Sequence, residues 1–114
     1  KIPDDIVIRA RPHVTLIPTN ICLQPPDGYN FEIHPRSSTL VKKGIVVNVG
    51  IIDSDYRGQI FISAYSEEND KQLASGESIA QLILRKTNKY ELELVQRKDL
   101  TKTRRNEGGF GSTG

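Results

Sequence analysis

Five places in this 114-residue chain hold side chains that can bind or move charge. In His34-Pro35-Arg36-Ser37-Ser38, two hydroxyls and a guanidinium precede a stretch with helical character. Hydroxyls, an arginine fork and the N–H groups of a helix start together suit a phosphate. The same Ser-Ser pair also suits a plain helix cap. A second stretch runs from Gly50 to Gly58 and carries Asp53 and Tyr56 between apolar runs. It puts polar groups at the tip of a β-hairpin, a pattern that an ordinary Asp-rich turn shares. The third, Gly76 to Leu82, sets the amide of Gln81 inside an apolar strand, where it needs hydrogen-bond partners. The fourth is Asn48, an amide in the other arm of the hairpin, able to meet a base edge or to mark a bulge. The fifth is the end of the chain, Arg104 to Gly114, with two arginines, one phenylalanine, two hydroxyls and four of the nine glycines. Glycines let such a segment wrap closely and aim successive N–H groups at an anion, and a ring among them can cover a flat base. A mobile Gly/Ser-rich terminus has the same composition.

These groups need a scaffold, and the hydrophobic period says which. Ile60, Ile62 and Ala64 alternate with Gln59, Phe61 and Ser63, as on a half-buried strand. Tyr90, Leu92 and Leu94 alternate with Glu91 and Glu93 in the same way. Ile6 to Ile8, Val14 to Ile17, Ile45 to Val47 and Ile79 to Leu84 are further short β-rich runs. Pro25-Pro26-Asp27-Gly28, Glu67 to Asp70 and Ser75-Gly76 punctuate them as turns. Only Ser38 to Lys43 reads as a helix, of one or two turns. The pattern predicts an all-β sandwich or barrel over residues 1–98 and a glycine-rich C-terminal arm over 99–114.

Composition narrows the function classes. Hydrophobic residues make up 36% and Trp and Met are absent, so one domain of this size has a modest core that an oligomer would reinforce. A net charge of +2 with mixed signs argues against nucleic-acid binding. A single cysteine, Cys22, excludes an intrachain disulfide and suits a reducing, intracellular setting, cytoplasmic or nuclear, in a cell or a virus-infected one. No apolar run is long enough for a membrane helix. One Cys and two His at unrelated positions give no zinc cluster, and the P-loop and dinucleotide fingerprints are missing.

Taken in order, the motifs resemble those of the trimeric dUTP pyrophosphatases, the dUTPases. Pro35-Arg36-Ser37-Ser38 is similar to that family's second motif and Gly50-Ile51-Ile52-Asp53-Ser54-Asp55-Tyr56-Arg57-Gly58 to its third. Gly76-Glu77-Ser78-Ile79-Ala80-Gln81-Leu82 is similar to the fourth, with Glu77 and Ser78 where Asp and Arg are commoner. Arg105 to Gly114 is similar to the fifth, with Asn106 where Gly usually follows the arginine. The family's first motif, roughly Ala-Gly-Tyr-Asp-Leu, falls before Lys1, so no residue here is assigned to its metal-holding Asp; Asp4 and Asp5 are out of register.

The resemblance implies a distorted jelly-roll, or β-barrel, and hydrolysis of dUTP to dUMP and pyrophosphate with Mg²⁺. It implies Asp53 as the catalytic group that activates the attacking water and Tyr56 as the platform under deoxyribose. The backbone around Asn48 and Gly50 would read uracil. Arg36, Ser37, Ser38, Gln81 and Arg105 would hold the triphosphate. Phe110 would stack on the base while Gly111, Ser112 and Thr113 add donors. It further implies a homotrimer whose sites are shared between subunits. Two rival readings keep the fold and change the chemistry: a dCTP deaminase-type relative, which shares the Arg-Ser-Ser element, and a non-catalytic nucleotide- or protein-binding module.

Overall fold

A computed structural model describes residues 1–111. Its strands are β1 (Ile6–Ile8), β2 (Thr15–Cys22), β3 (Tyr29–Pro35), β4 (Ile45–Val47), β5 (Gly50–Ile52), β6 (Gln59–Ser66), β7 (Lys71–Leu73) and β8 (Ala80–Lys86). One helix, α1 (Ser37–Lys43), sits between β3 and β4, and a single 3-10 turn covers Arg97–Asp99. The strands form three small antiparallel sheets, ordered β1-β7, β2-β6-β4 and β5-β3-β8.

β6 shows why the sequence folds this way. Ile60, Ile62, Ala64 and Ser66 are buried while Phe61 is exposed, the period of two that the sequence displays. Ile62 stands opposite Ile17 of β2, and Ala64 opposite Val47 of β4. With Ile2, Ile8, Ile33, Ile45, Leu73 and Ile79 they make one core. Each such isoleucine contributes about 1.5–3 kcal/mol by leaving water. Buried hydroxyls are matched: Thr19 donates to the Ile60 carbonyl at 2.7 Å and Thr39 to that of Ile79 at 3.1 Å.

The helix begins one residue earlier than the sequence predicts. Its N-cap is Arg36, in extended conformation and without a side-chain capping bond, so neither serine caps it; both lie inside the first turn. Gly44 ends it at φ 66°, a left-handed position that favours glycine, and its N–H bonds the Leu40 carbonyl at 2.9 Å.

The expected strand over Tyr90, Leu92 and Leu94 is a different matter. No strand forms there, and these side chains are 78%, 89% and 100% exposed. A strand needs a partner edge as well as an apolar face, and this copy provides none. The radius of gyration is 19.0 Å, against about 13 Å for a compact chain of this length. The excess reflects residues 87–111, which lie beyond the last strand and are almost all exposed.

Candidate active site

β3 and β8 assemble one half of the site. Their register sets His34 opposite Gln81 and Pro35 opposite Ala80. The Gln81 amide Nε2 donates to the Pro35 carbonyl at 3.0 Å, and Arg36 donates to the Ser78 carbonyl at 2.9 Å. Gln81 is thus exposed and tied to the start of the serine loop, rather than buried as the strand pattern predicts. Arg36, Ser37, Ser38 and Gln81 make a candidate cradle: the two bonds tie Arg36 and Gln81 to the chain beside the serines, and hydroxyls, amide and guanidinium are a donor set suited to phosphate oxygens.

The loop between β5 and β6 assembles the other half; β5 pairs with β3 and β6 with β2 and β4, so this stretch links two sheets and does not close the β-hairpin that the sequence predicts. Tyr56 donates its phenol to the Gln59 carbonyl at 2.7 Å, and its N–H bonds the Asp53 carbonyl at 3.1 Å. A Cβ on Gly58 would stand 2.4 Å from the Tyr56 hydroxyl, so only glycine lets the ring lie there. Asp53 is exposed, and among the described residues its carboxylate takes no hydrogen bond or ion pair. With Ile51, Tyr56 and Phe61 it lines a recess of about 230 Å³. Asn48 donates its backbone N–H to the Ser63 carbonyl at 2.9 Å and one side-chain N–H to the Ser63 hydroxyl at 3.0 Å. Gly50 stands opposite Ile33.

The two halves do not meet within one copy. Ile52, next to Asp53, pairs with Phe31 near one end of β3, whereas Ser37 follows its other end. Six extended residues span about 20 Å.

The C-terminal arm folds on itself. Arg97 pairs with Glu107, Asn106 exchanges hydrogen bonds with Thr103, and the Arg105 Nε donates to the Gly108 carbonyl. Phe110 is fully exposed and Gly111 follows it at φ 86°. Ser112 and Thr113 lie outside the described residues.

The sequence profile of the dUTPase family matches residues 1–114. The chain belongs to the dUTPase family. It is 46% identical over 104 residues to the deoxyuridine 5'-triphosphate nucleotidohydrolase of Finegoldia magna, covering 88% of this chain and 71% of that protein. It is 39% identical over 117 residues to that of Caulobacter vibrioides, covering 99% and 74%. Among solved structures it is similar to the dUTPase of Streptococcus mutans, at TM-score 0.71 and 27% identity over 80% of this chain and 77% of that one. The fold also matches that of the Staphylococcus bacteriophage 80alpha dUTPase, at TM-score 0.81 and 24% identity over 97% and 81%.

The structure accounts for each departure from the usual dUTPase motifs. Glu77 pairs with Lys43 and accepts the Ala74 N–H at 2.6 Å. Ser78 contributes its carbonyl to Arg36, a role that its side chain does not enter. Asn106 sits at φ 47°, a left-handed position that asparagine tolerates next best after glycine. Asp5 accepts the Ser75 N–H at 2.7 Å, a structural role. Sequence reasoning missed Thr39 and Lys43, whose only signal was their spacing along α1 from Arg36.

Two acids near the dUTPase cradle carry a pH dependence. Glu77 is held below its ordinary value of 4.5, first by the Lys43 hydrogen bond and then by the Ala74 N–H. Glu32 is held below 4.5 first by His34, whose Nε2 lies 2.8 Å away, with Arg85 assisting. A carboxyl whose value falls on folding stabilises the fold above its unfolded value and loses that contribution as pH drops through the folded one. The urea midpoint should therefore fall as pH goes below 4.5, and Glu77→Gln should flatten part of that fall. An unchanged pH profile in Glu77→Gln would remove Glu77 from the account.

Proposed function

We infer that this chain hydrolyses dUTP to dUMP and pyrophosphate. Water attacks the α-phosphorus, the α–β phosphoanhydride bond breaks, and pyrophosphate leaves. Asp53 orients that water and takes its proton. The observation that carries this role is a carboxylate left without a protein partner, among the described residues, on a loop braced by two Tyr56 hydrogen bonds. The Tyr56 ring lies against deoxyribose and rejects a ribose 2′-OH by collision. The chain around Asn48 and Gly50 reads uracil and leaves no room for a 5-methyl group. Ser37, Ser38, Arg36 and Gln81 hold the phosphates, and Arg105 joins them when the arm closes. Phe110 covers the base, with Gly111, Ser112 and Thr113 adding donors.

Family membership makes Mg²⁺ the expected ion. Among the described residues no three of His, Cys, Asp and Glu converge into a metal site, and the cradle's donors suit phosphate rather than metal. Mg²⁺ bound with a triphosphate needs only one or two protein carboxylates beside the phosphates and waters, so it would arrive with dUTP, and no step here depends on it.

The working unit is a homotrimer. Support comes from the separation of Asp53 from Ser37 by the length of β3, which favours a site where one subunit's Asp53 loop faces another's cradle. The bare stripe of Tyr90, Leu92 and Leu94 supports an arm that crosses to a neighbour and is covered there. The exposed thiol of Cys22 suits a reducing compartment.

Pyrophosphate release from dUTP, measured beside dTTP, dCTP and UTP with and without Mg²⁺, tests the reading. Selective turnover of dUTP is expected, with dCTP disfavoured by about 10⁴ in kcat/KM because its donor pattern leaves buried groups unpaired. Ammonia release from dCTP would instead mark a deaminase. Tight dUTP binding without turnover would mark a binding module.

A further inference from the structure

Arg36 at the N-cap of α1 and Thr39 and Lys43 within it bind three consecutive residues before β8. Thr39 and Lys43 stand four residues apart, which sets them on one face of the helix. Arg36 donates to the carbonyl of Ser78 at 2.9 Å, and Thr39, 2% exposed, donates to that of Ile79 at 3.1 Å. Lys43 pairs with the Glu77 carboxylate, whose other oxygen accepts the Ala74 N–H at 2.6 Å. The first two contacts end on backbone and sit near the serines. The third joins two side chains at the far end of the helix, about 9 Å from Ser37 at 1.5 Å per residue. Gln81 lies two residues beyond Ile79. Any tilt of α1 on this ladder therefore changes the gap between Ser37, Ser38 and Gln81.

We propose that Lys43 and Glu77 are a positioning pair that sets the tilt of α1 and so the width of the triphosphate cradle. Neither touches substrate. Both side chains are about one third exposed, at 32% and 31%, so the pair can be weakened without opening the core. Its role in binding rests on the reading that Ser37, Ser38 and Gln81 hold the triphosphate.

Lys43→Met, Glu77→Gln, the double variant and Lys43→Arg test it, read by steady-state kinetics on dUTP and by amide exchange of residues 37–43 without nucleotide. Either single loss should raise KM about threefold to tenfold and leave kcat within about twofold. The double variant should be no worse than the worse single, because both remove the same contact. Lys43→Arg should restore KM, and exchange across the helix should quicken in both singles and in the double variant but not in Lys43→Arg. Multiplicative effects in the double variant would overturn the pairing. A lowered melting temperature with unchanged KM and exchange would leave the pair a stability contact and overturn the positioning role. If the unaltered chain does not turn over dUTP, the functional reading fails, and exchange alone still decides whether the pair holds the helix.

Discussion

Asp53→Asn should lower kcat for dUTP by about 10² to 10⁴, the usual worth of a positioned general base, and leave KM within a few-fold. Asparagine keeps the size of the side chain and can still hydrogen-bond a water, but it cannot take the proton. No neighbour stands ready to replace it. The Tyr56 hydroxyl is committed to the Gln59 carbonyl, and Arg57 bonds the carbonyls of Ser54 and Tyr56. Asp55 is the only other carboxylate between Gly50 and Gly58, which makes Asp55→Asn the control. Pyrophosphate release and binding of a non-hydrolysable dUTP analogue separate chemistry from affinity. Retention of more than a tenth of kcat in Asp53→Asn, or an equal loss in Asp55→Asn, would end the assignment.

Two inactive variants mixed together should regain activity. One is Asp53→Asn; the other is Ser37→Ala combined with Gln81→Ala, which strips the cradle. Since the Asp53 loop and the cradle lie at opposite ends of β3, each site of the proposed trimer would take its base from one subunit and its phosphate holders from another. In randomly mixed trimers an intact Asp53 loop meets an intact cradle at about one quarter of sites, half times half, as closed threefold symmetry requires. Co-expression or joint refolding, followed by pyrophosphate release, reads this directly. A mixture no more active than its two components would place the whole site inside one subunit and refute the shared arrangement.

Much of this was legible in the sequence where a local period or a turn fixes the outcome. The alternation from Gln59 to Ser66 gave β6 its faces, and the glycines at 50 and 58 bounded the turn carrying Asp53 and Tyr56, though its flanking strands join different sheets instead of pairing as a hairpin. Ser37 and Ser38 were visible as a loop-to-helix element, though not that Arg36 would stand at the cap. What stayed hidden was decided by partners distant in the chain. The alternation at Tyr90, Leu92 and Leu94 shows that a face wants covering and cannot say by what. Gln81 read as a buried amide, because its pattern records its own strand and not the open cradle beside Pro35. Lys43 belongs to no motif and Glu77 stood out only as a departure from the fourth; their pairing became significant only once α1 lay against residues 77–79.

The uncovered Leu92 and Leu94 also make the amount of protein a control variable. If folding and assembly are joined through that stripe, melting temperature rises with total concentration, and dilution lowers specific activity as well as yield. A cell making little of this chain would then have less activity than the copy number suggests.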